Sequence, residues 1–198
     1  MEFDGTVSIE GATTEEVWLA LSDPAMIKQA LPGCRYLVEV QSDDPDFDAL
    51  GESAPDEDPA TLPEADPEEI AERAFVEGGR YAALMRLSVG SVEPTFETVV
   101  TIDEREFPRM SASGEGNASS SSFEMASGMD LVETDDGVDV EWWAEADVFG
   151  RVAQMGQRVI NPVANRVVGH FFDRIEEELS DVETEEPSGL RDRVSGLF

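Results

Sequence analysis

Cys34 and His170 are the only cysteine and the only histidine in this chain of 198 residues, so the side chains best suited to act as nucleophile or general base at neutral pH occur once each. One cysteine allows no intramolecular disulfide, no CxxC redox pair and no structural zinc site, and one histidine allows no imidazole cluster. Cys34 directly follows Pro32-Gly33, where the chain turns into a strand, and its only adjacent cation is Arg35. A thiol with no base beside it keeps its proton, so Cys34 reads as a small buried residue at a tight turn, with Gly33 supplying a positive φ. His170 falls between the apolar positions of the last helix and reads as a flank residue. The Asp and Glu residues show no pairing beyond what their number brings by chance, and all-carboxylate cation sites stay formally open. Arg151 and Arg158 share one face of the last helix and would suit a carbonyl or acidic head group, against a default of solvated ion pairing worth about 0–1 kcal/mol. The residues therefore define no catalytic set and no metal site.

Charge narrows the partners further. Forty-five acidic residues stand against thirteen basic ones, a formal charge of −32, and Lys28 is the only lysine. Such a surface repels nucleic acid and anionic head groups. The pattern fits a high-salt, halophilic cytoplasm, where 1 M salt screens self-repulsion to about 3 Å. An acidic interaction protein in ordinary cytosol is the alternative. Met1 to Ile9 alternates instead of forming a basic and apolar leader, and no run of about eighteen apolar residues occurs, so a cytoplasmic protein is expected.

The elements that would position any ligand-binding groups can be read from period and caps. Glu2 to Ile9 alternates as a strand. Thr13 and Glu16 form a capping box before an apolar helix face, and Asp23-Pro24 starts a second short helix that Pro32-Gly33 ends. Cys34 to Gln41 is strand two. Residues 43–70 are dense in Asp, Glu, Pro and Ala and read as a solvated, mobile insertion, with Asp66-Pro67-Glu68-Glu69 capping a short helix near its end. Four or five strands in meander order follow, with Asp135-Asp136-Gly137 as the turn before the last. Beyond Phe149-Gly150 the period becomes helical, and Val152, Met155, Val159, Val163, Val167, Phe171, Ile175 and Leu179 mark one long helix, which Pro162 should kink or Asn161 recap. The expected fold is α+β: a curved antiparallel sheet of six or seven strands around a long C-terminal helix, with two short helices after strand one. The domain is expected to span 1–180, with an acidic linker and short tail over 181–198.

A curved sheet closed by a helix leaves a wedge between them. The candidate wall is Tyr81, Met85, Phe96, Phe123, Met125, Met129 and Trp142 from the sheet, with Met155, Val159 and Val163 from the helix. Methionine fits irregular, varied guests, which suits a lipid-like or quinone-like molecule. The same side chains would serve equally as plain core.

Local motifs add a resemblance. Ala20-Leu21-Ser22-Asp23-Pro24, Leu31-Pro32-Gly33-Cys34, Val89-Gly90-Ser91-Val92, Ser113-Gly114-Glu115-Gly116 and Gly150-Arg151-Val152-Ala153-Gln154-Met155-Gly156 resemble the carbon monoxide dehydrogenase G-subunit family of the SRPBCC (START-like, polyketide cyclase) superfamily. The resemblance runs from Met1 to about Leu179, the acidic insertion excepted. It implies a helix-grip fold with a hydrophobic cavity. It also implies a role beside a molybdenum-containing dehydrogenase: membrane recruitment, maturation, or carriage of a bound quinone that takes its electrons. Family members often continue into a membrane-binding segment. Here only Gly189–Phe198 follows the linker, about 15 Å of helix, which is expected either to fray or to make a peripheral contact with membrane or partner. A cyclase or hydrolase using the same cavity, and an assembly factor with the cavity packed shut, are the rival functions.

Overall fold

The computed structural model describes residues 1–42, 44–55, 57–184 and 194. Alternation of apolar and polar residues forms strand β1 (Glu2–Glu10), which buries Ile9 and exposes its even positions. The Thr13 hydroxyl accepts from the Glu16 amide at 3.3 Å while the Glu16 carboxylate accepts from the Thr13 amide at 2.7 Å, and this reciprocal cap starts helix α1 (Thr14–Ser22). Asp23 accepts from the Ala25 amide at 2.9 Å and caps α2 (Pro24–Ala30), with Pro24 in the first turn, where a missing amide hydrogen costs nothing. Gly33, at φ 82°, then turns the chain into β2 (Cys34–Val40). Any Cβ there would collide with the Arg86 carbonyl oxygen.

Strands β3 (Arg80–Arg86), β4 (Thr95–Glu106), β5 (Arg109–Ala118), β6 (Ser121–Glu133) and β7 (Gly137–Gly150) complete one seven-stranded antiparallel sheet, ordered β1-β7-β6-β5-β4-β3-β2. The expected helix-grip architecture is thus observed, with α1 and α2 after the first strand and a long helix last. Period two along each strand puts one row of side chains under that helix and the other outside. Inner rows run across the sheet in register: Phe96 faces Met85, Gly116 faces Phe123, Gly114 faces Met125, and Met129 faces both Met110 and Trp142.

Three details depart from the sequence reading. The long helix does not begin at Val152: residues Ala153–Met155 form a single 3-10 turn, Gly156 breaks it at φ 76°, and α5 runs from Gln157 to Thr184. The turn is held by packing, since Met155 and Val159 pack beside the Val89–Val92 turn and would touch a Cβ at Gly90. Asn161 does not recap the helix, which continues through Pro162. The acidic segment, read as solvated, is attached to the rest of the domain at several points. Helix α3 (Phe47–Ser53) leans on the sheet, where the Tyr36 hydroxyl donates to the Phe47 carbonyl at 2.9 Å. Leu62 and Ile70, both 0 % exposed, pack into the core beside α1, Ile70 from helix α4 (Pro67–Arg73). Averaged composition hid these isolated apolar residues, because two side chains of full burial can anchor a stretch that is otherwise charged.

Of the tail, Val194 is described and is 1 % exposed, packed in the core group that contains α1 and the end of α5. Leu190, Arg191, Arg193, Leu197 and Phe198, in the tail that was expected either to fray or to contact membrane or partner, lie outside the described residues.

Candidate functional site: the inner face of the grip

Small domains usually hold one contiguous core. Here the buried apolar side chains fall into three groups. The first joins Val17, Trp18, Leu21, Met26, Leu131, Val140, Ile175 and Leu179 at the α1 end. A second, smaller group holds Phe75, Tyr81 and Ile102. The third holds Val89, Phe96 and Val152 at the opposite end, with Met85, Phe123, Met155, Val159 and Val163 packed on it.

Between the first and third groups lie two inner rows, Val100–Gly114–Met125–Ala146 and Ile102–Ala112–Ser127–Ala144, aligned by the register of β4 to β7. Their side chains on β5 to β7 are small except for Met125, and of the two rows only Ile102, at the β4 edge, is fully buried. Along α5, Ala164 and Val167, which fall between Val163 of the third group and Val168 of the first, are likewise only half-buried. These small, incompletely covered residues lie in the middle of the sheet on its inner face, below the middle of α5. This strip is the candidate site.

The structure places the ten expected wall residues around it unevenly. Met85, Phe96, Phe123, Met155, Val159 and Val163 come together at one end, and Met129 and Trp142 stand at the other. Tyr81 belongs to the small middle group, packed edge-on against Phe75 with ring centres 4.7 Å apart. Met125 lies in the strip itself, packed in none of the three groups. Phe96 and Phe123 meet edge to face at 5.1 Å. The Trp142 indole lies over Gly5, where a Cβ would approach it to 3.1 Å, and beside Phe172 at 6.1 Å. Thr98, an inward residue of β4 absent from the expected wall, is buried with its hydroxyl beside Gly116. The only signal for it in the sequence was its phase, between inward Phe96 and Val100.

Reactive groups stand outside this strip. His170, Arg151 and Arg158 are exposed. Cys34 Sγ donates to the Tyr36 carbonyl at 3.3 Å, and burial pushes its thiol up to about 11, against a smaller opposing pull from Lys28. Native Cys34 is therefore expected to resist iodoacetamide at pH 8 and to react once the chain is unfolded; mass spectrometry of the adduct reads both. The sign of the pH dependence follows from the raised value. The folded state favours the protonated thiol, so its contribution to stability is full below about pH 9 and is lost as pH rises towards 11. Tyr36 and Tyr81, raised chiefly by burial, act in the same direction. Among the described residues no group of three or more His, Cys, Asp or Glu side chains is arranged to hold a metal ion. Among the same residues no helix is long and apolar enough to cross a membrane. Trp143 faces outward, 44 % exposed.

An antiparallel sheet gripping a C-terminal helix, with an apolar strip between them, defines a protein of the SRPBCC (START-like) superfamily fold, and solved structures agree. A conserved protein from Geobacillus kaustophilus is similar over 92 % of this chain and 97 % of its own, with TM-score 0.68 and 19 % identity. TTHA0849 from Thermus thermophilus has TM-score 0.57 at 11 % identity over 92 % and 99 %. The Zhui aromatase/cyclase from Streptomyces sp. R1128 has TM-score 0.56 at 10 % identity over 96 % and 98 %. At such identities these likenesses concern the fold alone. No curated protein sequence matches the chain. The family model for the carbon monoxide dehydrogenase G subunit (CoxG) matches residues 73–180, more than half of the chain, and the chain belongs to that family. The matched stretch contains the Val89–Val92, Ser113–Gly116 and Gly150–Gly156 motifs; the two earlier motifs precede it.

Proposed function

We propose that this protein is a non-catalytic carrier of an apolar, quinone-like or lipid-like molecule, working as an accessory protein of an aerobic-type carbon monoxide dehydrogenase or a related molybdenum hydroxylase. The observation that supports the carrier half is the divided core: the inner rows of small, half-covered residues between Phe123 and Trp142 give an apolar guest a place to lie. Family membership supports the dehydrogenase half. The guest would be held by dispersion against Met, Phe and Val side chains, which bind apolar chains of varied shape. Nothing in such a wall performs chemistry, which favours a carrier over a cyclase or hydrolase in the same cavity. Recruitment to a membrane through Gly189–Phe198 would require Val194 to leave the core, so the tail and the domain would compete for that side chain.

Adding the purified protein to a molybdenum-containing carbon monoxide dehydrogenase with a long-chain quinone tests the reading. Quinone reduction driven by carbon monoxide is expected to rise saturably with the amount of protein, because the carrier delivers an otherwise insoluble acceptor. No change in rate, with no association of the two proteins in sedimentation, would remove the proposed role.

A further inference from the structure

Two polar atoms on the inner face of the sheet, the Thr98 hydroxyl and Trp142 Nε1, are buried with no hydrogen-bond partner in the protein. A buried donor without a partner is costly and rare in native interiors, so an acceptor supplied by a further molecule would stabilise either one. The two stand at opposite ends of the open strip. The row that carries Thr98 meets β6 at Phe123, and the row that carries Trp142 meets it at Met129, so along the strand they are about 20 Å apart at 3.3 Å per residue. That distance exceeds the span of any single ring.

The surroundings of the two atoms differ. Thr98 is 4 % exposed, and its hydroxyl lies 2.9 Å from where a Cβ on Gly116 would be. The absence of that Cβ lets the Phe123 ring edge close over Gly116 beside the hydroxyl. Phe96, Met85 and Met155 complete the same end. A flat ring is well matched by these aromatic edges and thioethers. Trp142, by contrast, adjoins Met129, Phe172 and the densely packed α1 end.

We propose that the guest lies in one orientation: a flat head group bearing a carbonyl sits at the Phe123 end of the strip and accepts a hydrogen bond from Thr98 Oγ1, and its apolar chain runs over Gly114, Met125, Ser127 and Ala144 towards Trp142. This rests on the carrier reading and adds to it the end, the donor and the head-group chemistry.

Calorimetric titration with two small probes tests it: menadione, a ring with carbonyls and no chain, and 2-methylnaphthalene, a similar ring without them. Thr98→Val keeps the shape and β-branching and removes only the hydroxyl, and Thr98→Ser keeps the hydroxyl. Menadione binding is expected to weaken about tenfold in Thr98→Val and to be retained in Thr98→Ser, while 2-methylnaphthalene binding stays within about twofold. The melting temperature of ligand-free Thr98→Val, which has lost an unpaired hydroxyl, should not fall. Equal menadione affinity in wild type and Thr98→Val would overturn the assignment while leaving the carrier reading intact. So would a loss confined to Trp142→Phe, which would seat the head group at the other end. If the wild-type protein binds neither probe, the carrier reading fails and the orientation fails with it.

Discussion

Replacing Arg73 by methionine is expected to cost several times the roughly 0–1 kcal/mol of an exposed ion pair, approaching the about 3–5 kcal/mol of a fully buried one, because Asp23 is buried while the Arg73 side chain is 28 % exposed. The Arg73 guanidinium donates from Nε to one Asp23 carboxylate oxygen at 2.8 Å and from Nη2 to the other at 2.6 Å, and Nη2 also reaches the Ala60 carbonyl at 2.6 Å. The Asp23 side chain is 1 % exposed, so water cannot replace the lost partner. The same carboxylate caps α2, and Arg73 ends α4, so the pair ties the acidic segment to the two short helices that close the grip. Denaturant unfolding measures the loss, and adding Asp23→Asn to Arg73→Met should recover part of it by removing the orphaned charge. A loss below about 1 kcal/mol would class the pair with exposed salt bridges instead. Repeating the unfolding from about 0.2 to 3 M KCl tests the high-salt reading of the −32 charge: the wild-type midpoint should climb with salt as self-repulsion is screened, and a flat response would favour ordinary cytosol.

The second large effect concerns the strip itself. Ser127 faces Ala112 on one side and Ala144 on the other, so both of its cross-strand neighbours are small. Ser127→Leu puts an apolar side chain into the space assigned to the guest. If that space is open in the ligand-free protein, the variant should melt no lower than wild type and should bind a quinone about a hundredfold more weakly, because chain and leucine would have to share one volume. If helix and sheet are in contact there, the same substitution overpacks a closed core and should lower stability by about 1–3 kcal/mol. The sign of the melting shift separates a binding site from plain core, a choice that the inward methionines alone left open.

Most of the architecture was legible in the sequence because it is written locally. The capping box at Thr13 and Glu16, the cap and proline at Asp23-Pro24 and the two-residue period of each strand are all satisfied by neighbours in the chain. What was missed depends on distant contacts. The break at Gly156 is set by Met155 and Val159 packing beside the Gly90 turn, more than sixty residues away. Leu62 and Ile70 were lost in an acidic average, although each is wholly buried against α1. The candidate site was read as ten large side chains, most of which stand towards one end or the other of the strip. Its floor, however, is made of Gly114, Ser127, Ala144 and Ala146, residues that contribute little hydrophobicity and so leave a weak trace in the period. Thr98 was passed over for the converse reason: a threonine in a strand is an ordinary β-former, and only the register against Gly116 and Phe123 sets it apart.

Carriage of an apolar molecule between sheet and helix is the central claim, and the contents of the purified protein test it most directly. Wild-type protein and Ser127→Leu, prepared alike and washed free of detergent, would be extracted into organic solvent and the extracts identified and quantified by mass spectrometry. A near-stoichiometric amphipathic molecule, with a carbonyl-bearing ring and an apolar chain, is expected from the wild type and a strongly reduced amount from the variant. Extracts empty of any such molecule, together with no uptake of added quinone by the wild-type protein, would contradict it.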